Sequence, residues 1–211
     1  MSVRSKLLAI LTIGPAYGFQ LHTELRSRTG QRRMTNVGQI YSTLERAVDQ
    51  GAVRSAGLTP DGLPLYALTE LGRTEATQWL TSTTSAPGDE WDDMLDRVLL
   101  SSSIPSSNVT TLIADYRAYW HDQIQSLSSA DTVIQAAAPI DDAIPDAATD
   151  PAPDPDGQRL LAHAGALVSA SAALDWLTQA ESRIEAAGLA SFRRGLSQTR
   201  PRRGRRPATA N

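Results

Sequence analysis

The sequence predicts a mainly α-helical protein in which a small N-terminal domain is followed by long helices. Three observations carry this expectation. Apolar residues recur at three- and four-residue steps through most of the 211 residues. The period changes only between Ala52 and Thr69, where two short β-compatible runs flank the turn-rich Thr59-Pro60-Asp61-Gly62. Residues 139–157 hold five prolines and six aspartates in nineteen positions, a composition that interrupts the C-terminal half and cannot bury a core.

The first helix is expected over residues 3–13, with Val3, Leu7, Leu8, Ile10 and Leu11 inward and Gly14-Pro15 as its stop. Arg4 and Lys6 ahead of an apolar run faintly resemble a signal peptide. The run is only seven residues long and no small-residue cleavage site follows, so a core helix is the reading. A second helix runs from about Gly18 to Thr29, with Phe19, Leu21 and Leu25 inward, and stops at Gly30. A third starts at the capping residues Thr35 and Asn36 and continues through Ile40, Leu44 and Val48, all read as core, to Gly51. The strands Ala52–Ala56 and Leu65–Thr69 form a hairpin, and a fourth helix follows Thr69 with Leu71, Ala76, Trp79 and Leu80. Three short helices, a hairpin and a further helix make an N-terminal winged helix-turn-helix over residues 1–82, whose third helix enters the major groove and whose hairpin is the wing.

Composition excludes several classes. The chain is 41% apolar and 20% charged with a net charge of −3, which rules out whole-chain disorder and rod-like coiled coils. It has no cysteine, so no disulfide scaffold, thiolate zinc site or cysteine nucleophile; this is compatible with a cytoplasmic protein. No continuous apolar run approaches the roughly 18 residues of a membrane span. The histidines His22, His121 and His163 are scattered, and no nucleophile motif, phosphate loop or calcium loop is present. The expectation is a protein that is not an enzyme and has no cofactor, metal site or membrane.

The net charge conceals a partition. Residues 1–80 carry +3, residues 81–192 carry −13, and residues 193–211 carry seven arginines and no acid. A basic N-terminal module and a basic tail suit a polyanion, and the acidic middle does not.

Five segments carry a resemblance. They are Leu7-Leu8-Ala9-Ile10-Leu11; Gly14-Pro15-Ala16-Tyr17-Gly18-Phe19-Gln20-Leu21; Asn36 through Arg46; Gln50-Gly51-Ala52-Val53; and Tyr66 through Arg73. In their order and spacing the N-terminal 80 residues resemble the PadR family of transcriptional regulators. The resemblance implies a homodimeric regulator that binds double-stranded operator DNA, a repressor above all, and that senses a small aromatic or drug-like effector. Two departures stand out. Phe19-Gln20 replaces the family's usual tyrosine and acidic residue, and the wing tip Asp61-Gly62-Leu63-Pro64-Leu65 lacks the usual cation. Arg54 is the only basic residue in the hairpin. The cation-free tip motivates an alternative: a dimeric helical protein-interaction or ligand-binding module that no longer grips DNA.

Candidate DNA-reading residues lie on the third helix: Thr35, Asn36, Gln39, Ser42 and Thr43, with Arg46 two turns beyond Gln39. A glutamine amide can pair with adenine, and serine or threonine can bond base or phosphate; the same short polar residues also serve as helix caps. Tyr41 matches the family's helix tyrosine, either reaching the DNA backbone or packing between helices. Lys6, Arg26, Arg28, Arg32, Arg33 and Arg54 are candidate phosphate contacts.

Beyond a hinge at residues 81–90, a helical dimerisation domain is expected over residues 90–190. It comprises a short helix from Trp91 to about Ser102, a long one starting at Pro105 and ending near Ala137, a flexible linker at 139–157, and a last helix from about Gln158 to Ala187. Leu160, Leu167, Leu174, Leu177 and Ile184 form a candidate dimer seam on that helix. Trp91, Trp120 and Trp176 are either core or the lining of an effector pocket. Residues 191–211 read as a disordered, arginine-rich tail.

Overall fold

The computed structural model describes residues 3–32, 35–137 and 155–198. The chain forms two compact units, one made of residues up to Ser82, Leu95–Asn108 and residues from Ala190, the other of Thr83–Met94 and Val109–Leu189. The division differs from the expected domains in that Leu95–Asn108 and the segment after Leu189 join the N-terminal unit.

In the first unit, α1 (Val3–Leu11), α2 (Gly18–Arg28) and α3 (Val37–Asp49) surround a core of Leu7, Leu8, Ile10, Leu21, Leu25, Ile40 and Leu44, each at most 1% exposed. The helix starts are built as the sequence suggests. Asn36 caps α3 by accepting the Gln39 N–H at 2.7 Å, and Thr69 caps α4 (Glu70–Thr81) by accepting from Gly72. A short strand that periodicity could not reveal, β1 (Ala16–Tyr17), joins β2 (Val53–Leu58) and β3 (Pro64–Leu68) in an antiparallel sheet of order β1-β3-β2. Its register pairs Ala16 and Ser55 on either side of Tyr66, and a bulge lies between Ser55 and Leu58. Burial, and then Tyr41 and Glu45 beside it, hold the Tyr66 hydroxyl above its ordinary pKa, so it remains protonated. Three apolar expectations fail: Phe19 is 36%, Val48 39% and Leu71 51% exposed, because each sits on the outward side near a helix end.

The helix α5 (Glu90–Ser103) gives Leu100 to the same core, as does Ile104 just beyond it, and also brings Asp96. Asp96, fully buried, accepts an ion pair from the equally buried Lys6 at 2.6 Å, and Arg32 approaches its other oxygen at 3.4 Å. Removing either partner of such a buried pair would leave the other without its counter-charge. The Arg97 guanidinium lies 5.3 Å over the Trp79 ring.

In the second unit, α6 (Val109–Ala137) and α7 (Pro155–Ala187) pack antiparallel. Arg117 reaches Glu181 at 2.7 Å, while His163 Nε2 donates to the carbonyl of Leu127, further along α6, at 2.8 Å. α6 begins at Val109, because Pro105 lies in the turn after α5 instead of opening the helix as expected. α7 opens at Pro155, inside the stretch read as linker, with proline at a first-turn position that needs no N–H. Residues 138–154, the rest of the expected linker, lie outside the described residues. By length and composition Gly157–Ala187 is long and apolar enough to cross a membrane. Its apolar character is hidden from a count of continuous runs because Gly, Ser and His interrupt it.

Candidate nucleic-acid interface

Gln39, Ser42 and Arg46 follow one another at three- and four-residue steps along α3, all exposed. The Asn36 cap fixes the start of the helix, and His22 of α2 fixes the residue before the cap by donating Nε2–H to the Thr35 carbonyl at 2.7 Å. Asn36 is therefore engaged through Oδ1, and Thr35 through its carbonyl. Ser42 Oγ donates to the Gln39 carbonyl at 3.2 Å, and Arg46 Nε donates back to the Ser42 carbonyl at 3.1 Å, so that Gln39 stands at the front of this face. Tyr41 is half-buried and packs between helices. A Cβ on Gly18 would lie 2.5 Å from its ring, so only glycine lets the start of α2 approach α3 this closely. The contacts of His22 and Gly18 escaped the sequence reading; the glycine at a helix start was the signal that could have found the second.

Several predicted phosphate contacts are elsewhere. Lys6 is 2% exposed and bound to Asp96, and Arg28 is 3% exposed and bound to Glu24 at 2.7 Å, so neither can meet DNA. Burial pulls the Arg28 pKa below the ordinary arginine value, and the hydrogen bond to Glu24 works against that pull. Arg32 is part-committed to Asp96. Arg33 lies outside the described residues. Arg26 and Arg54 are exposed, the latter turned towards the Ser55 carbonyl.

The wing closes through Thr59, which donates its N–H to the Leu63 carbonyl at 2.8 Å and accepts the Leu63 N–H on Oγ1 at 3.0 Å. Two large apolar side chains stand out on it, Leu58 at 67% and Leu63 at 38% exposed, beside the exposed Arg54, Ser55 and Asp61.

A helix-turn-helix with a capped, polar-faced third helix and a two-stranded wing is the arrangement that the sequence led us to expect. The sequence profile of the transcriptional regulator PadR-like family matches residues 7–78, from the core of α1 to the last turns of α4. Residues 7–78 are a PadR-like domain. No curated protein matches the chain. Among solved structures, Bacillus subtilis PadR in complex with operator DNA is 22% identical over 84% of this chain and 96% of its own, with a TM-score of 0.36. The same protein in complex with p-coumaric acid is 20% identical over 87% and 98%, with a TM-score of 0.34. The PadR-like transcriptional regulator BC1756 from Bacillus cereus is 17% identical over 87% and 98%, with a TM-score of 0.33. These superpositions are too loose to transfer the place of any residue onto the PadR-like domain.

In the second unit the residues expected at a dimer seam part company. Leu177 is fully buried within the protomer, alongside Ala170 and Ala173, while Leu167, Leu174 and Ile184 are half-buried and Leu160 is 41% exposed. Leu161 and Val168, which the heptad reading passed over, are more exposed, at 75% and 69%. Two of the three tryptophans meet. Trp91 and Trp176 meet edge to face at 6.5 Å, and Trp120 Nε1–H donates to the Met94 sulfur at 3.1 Å.

Proposed function

We propose that this chain is a sequence-specific DNA-binding transcriptional regulator that acts in the cytoplasm as a homodimer, a repressor released from its operator by a small aromatic or drug-like effector. The observation that carries the reading is the exposed line Gln39–Ser42–Arg46 on the capped third helix of a PadR-like domain. Its amide, hydroxyl and guanidinium are groups that recognise base edges and phosphates in a major groove. Thr35 and Asn36 hold the helix start in place, Tyr41 sets its angle to α2, and Arg54 and Arg32 flank the groove.

Dimerisation is favoured by the outward apolar face of α7, where Leu160, Leu161 and Val168 lie along one side of a helix whose other side already packs on α6. Exposed Asp175, Arg183 and Glu185 further along α7 favour a second copy of the chain over a bilayer as the cover for that face. Two copies bring two reading helices to a palindromic site. An effector held near the Trp91–Trp176 pair would act by favouring one separation of the reading heads over another. The alternative, a dimeric module without DNA affinity, is favoured by the cation-free wing tip with its exposed Leu58 and Leu63.

The test is a gel shift of the full chain on the DNA upstream of its own gene, with stoichiometry read by titration above the dissociation constant. The expected result is a retarded complex holding two chains per site. Retardation no stronger than on random DNA, by folded protein, favours the module; one chain per site contradicts the dimer.

A further inference from the structure

The segment expected to open a disordered tail is instead held against α2 from 193 to 198; residues 199–211 of that tail lie outside the described residues. Arg193 Nη2 donates to the Ser107 carbonyl at 3.0 Å, and the Arg194 backbone N–H donates to the Ser103 carbonyl at 3.2 Å. Arg194 Nη2 donates to Ser27 Oγ at 2.8 Å. The buried Arg28 donates through Nη2 to the carbonyls of Arg194 and Gly195, at 3.0 and 2.8 Å. The buried Glu24 accepts the Ser197 N–H at 2.6 Å, and Gln20 Nε2 donates to the Ser197 carbonyl at 2.7 Å. Leu196 packs on the hydrophobic core. What α2 recognises in this strap is therefore mostly main chain. Gln20, Glu24 and Arg28 stand four residues apart on one face of the helix and offer, in order, an amide donor, a carboxylate acceptor and a guanidinium donor to a chain running the opposite way.

The strap is held by bonds that water can replace. Its residues are exposed apart from the half-buried Leu196. Burial foremost, and then the Arg194 charge, lower the Arg28 pKa, so docking also sets two cations near each other. When the strap lifts, water reaches Arg28 Nη2 and Glu24 Oε1, and the ion pair between the two side chains stays in place. A segment with one apolar anchor and solvent-replaceable hydrogen bonds opens locally at a small part of the cost of global unfolding.

The helix under the strap also places the start of α3. Gly18 lies against the Tyr41 ring and His22 Nε2 donates to the Thr35 carbonyl, one on each side of Gln20 in the sequence. At the other end of α2, Arg28 Nη1 donates to the Ser103 carbonyl at 2.7 Å, the same oxygen that receives the Arg194 N–H. The strap thus bears on both ends of the helix that sets α3. We propose that residues 193–198 are a releasable latch: docked in the main-chain-reading groove of α2 they hold the domain in its DNA-binding form, and lifted they let α2 shift and weaken the grip on DNA. The proposal rests on the DNA-binding reading and adds a regulation to it. The chain reaches the latch from α7 through Gly188, in the left-handed region at φ 75°, and the turn Leu189–Ser191. Observed affinity scales with the docked fraction, whereas the phosphates neutralised in the complex, and with them the salt slope, stay the same.

The experiment uses the full chain and a duplex selected from a random pool. Ser197→Pro removes the N–H that Glu24 accepts, and Leu196→Asp opens the strap by a second route. Trypsin cleavage after Arg193 and Arg194, read by mass spectrometry, reports the open strap and is expected to quicken roughly tenfold in the folded variants. Affinity for the duplex is expected to fall roughly fivefold or more, with an unchanged slope of log affinity on log salt. A synthetic peptide of residues 189–198 is expected to restore the affinity of the Ser197→Pro chain and to leave the wild-type chain as it is, and a scrambled peptide of the same composition is expected to do neither. In the wild-type chain, which needs no substitution, saturating duplex is expected to slow the cleavage, because it binds the docked form. Cleavage that neither variant quickens, quicker cleavage without loss of affinity, a shallower salt slope, no rescue by the peptide, or wild-type cleavage indifferent to the duplex overturns the latch while leaving the DNA reading intact. A full chain that binds no DNA at all overturns both.

Discussion

Replacing Arg28 with methionine is expected to destabilise the protein by about 3–5 kcal/mol, the cost of leaving one member of a buried ion pair alone. The guanidinium bonds Glu24 at 2.7 Å, the Ser103 carbonyl at 2.7 Å and two strap carbonyls. Methionine fills most of the volume but returns none of these bonds, and Glu24, 3% exposed, loses the partner that satisfies its carboxylate oxygen. Urea denaturation followed by circular dichroism reads the loss as a lower midpoint. The double variant Glu24→Leu/Arg28→Met is expected to recover part of it, because no lone charge remains. A loss below about 1 kcal/mol for the single variant would mean that water reaches the pair freely, as at an exposed salt bridge.

Gly72→Ala has an expected effect opposite in sign to the usual one. In a helix interior alanine is favoured over glycine by up to about 1 kcal/mol. At Gly72 of α4 the new Cβ would collide with the Ala52 carbonyl oxygen, which already accepts from both the N–H and the hydroxyl of Thr69. The obstacle is backbone, not a flexible side chain, so α4 must move off the sheet and lose its cap; the expected cost is about 3 kcal/mol or more. Gly165→Ala on α7, where nothing lies within 4 Å of the added methyl, is the control and is expected to stabilise. Thermal melts of the two variants should therefore shift in opposite directions. A stable Gly72→Ala protein would contradict the close approach of α4 to the residue that leads into β2.

The contrast between what was legible in the sequence and what was not comes from the range of the interactions. Caps and stops act within three or four residues, so Asn36, Thr69 and Gly51 marked their helix ends directly. The core faces of α1 and α3 were legible because Leu7, Ile10, Ile40 and Leu44 repeat at the helical period. Val48 continues that period yet is exposed, since the last turn of α3 runs past the elements that cover Leu44. Lys6 was misjudged because its partner, Asp96, is ninety residues away; nothing local signals where a distant carboxylate will fold. Arg28 was different. Glu24 stands four residues before it, the helical spacing for an ion pair, and that signal was available. The strap was invisible for a further reason. An extended segment held by side chains of another helix has no period of its own, and arginine, glycine and serine read as solvated chain. At the proposed DNA-reading face the sequence supplied the residue types, and only the fold separated the Gln39 amide from Asn36, whose oxygen is spent on the cap.

The claim on which the account turns is that α3 reads bases through Gln39. The most direct measurement is fluorescence anisotropy of the full chain and its Gln39→Ala variant on a duplex selected from a random pool and on its scrambled counterpart, at one fixed salt concentration. The account predicts a loss of about 1–3 kcal/mol on the selected duplex with little change on the scrambled one. Equal losses on both duplexes, or a wild-type chain that binds the two alike, would contradict it.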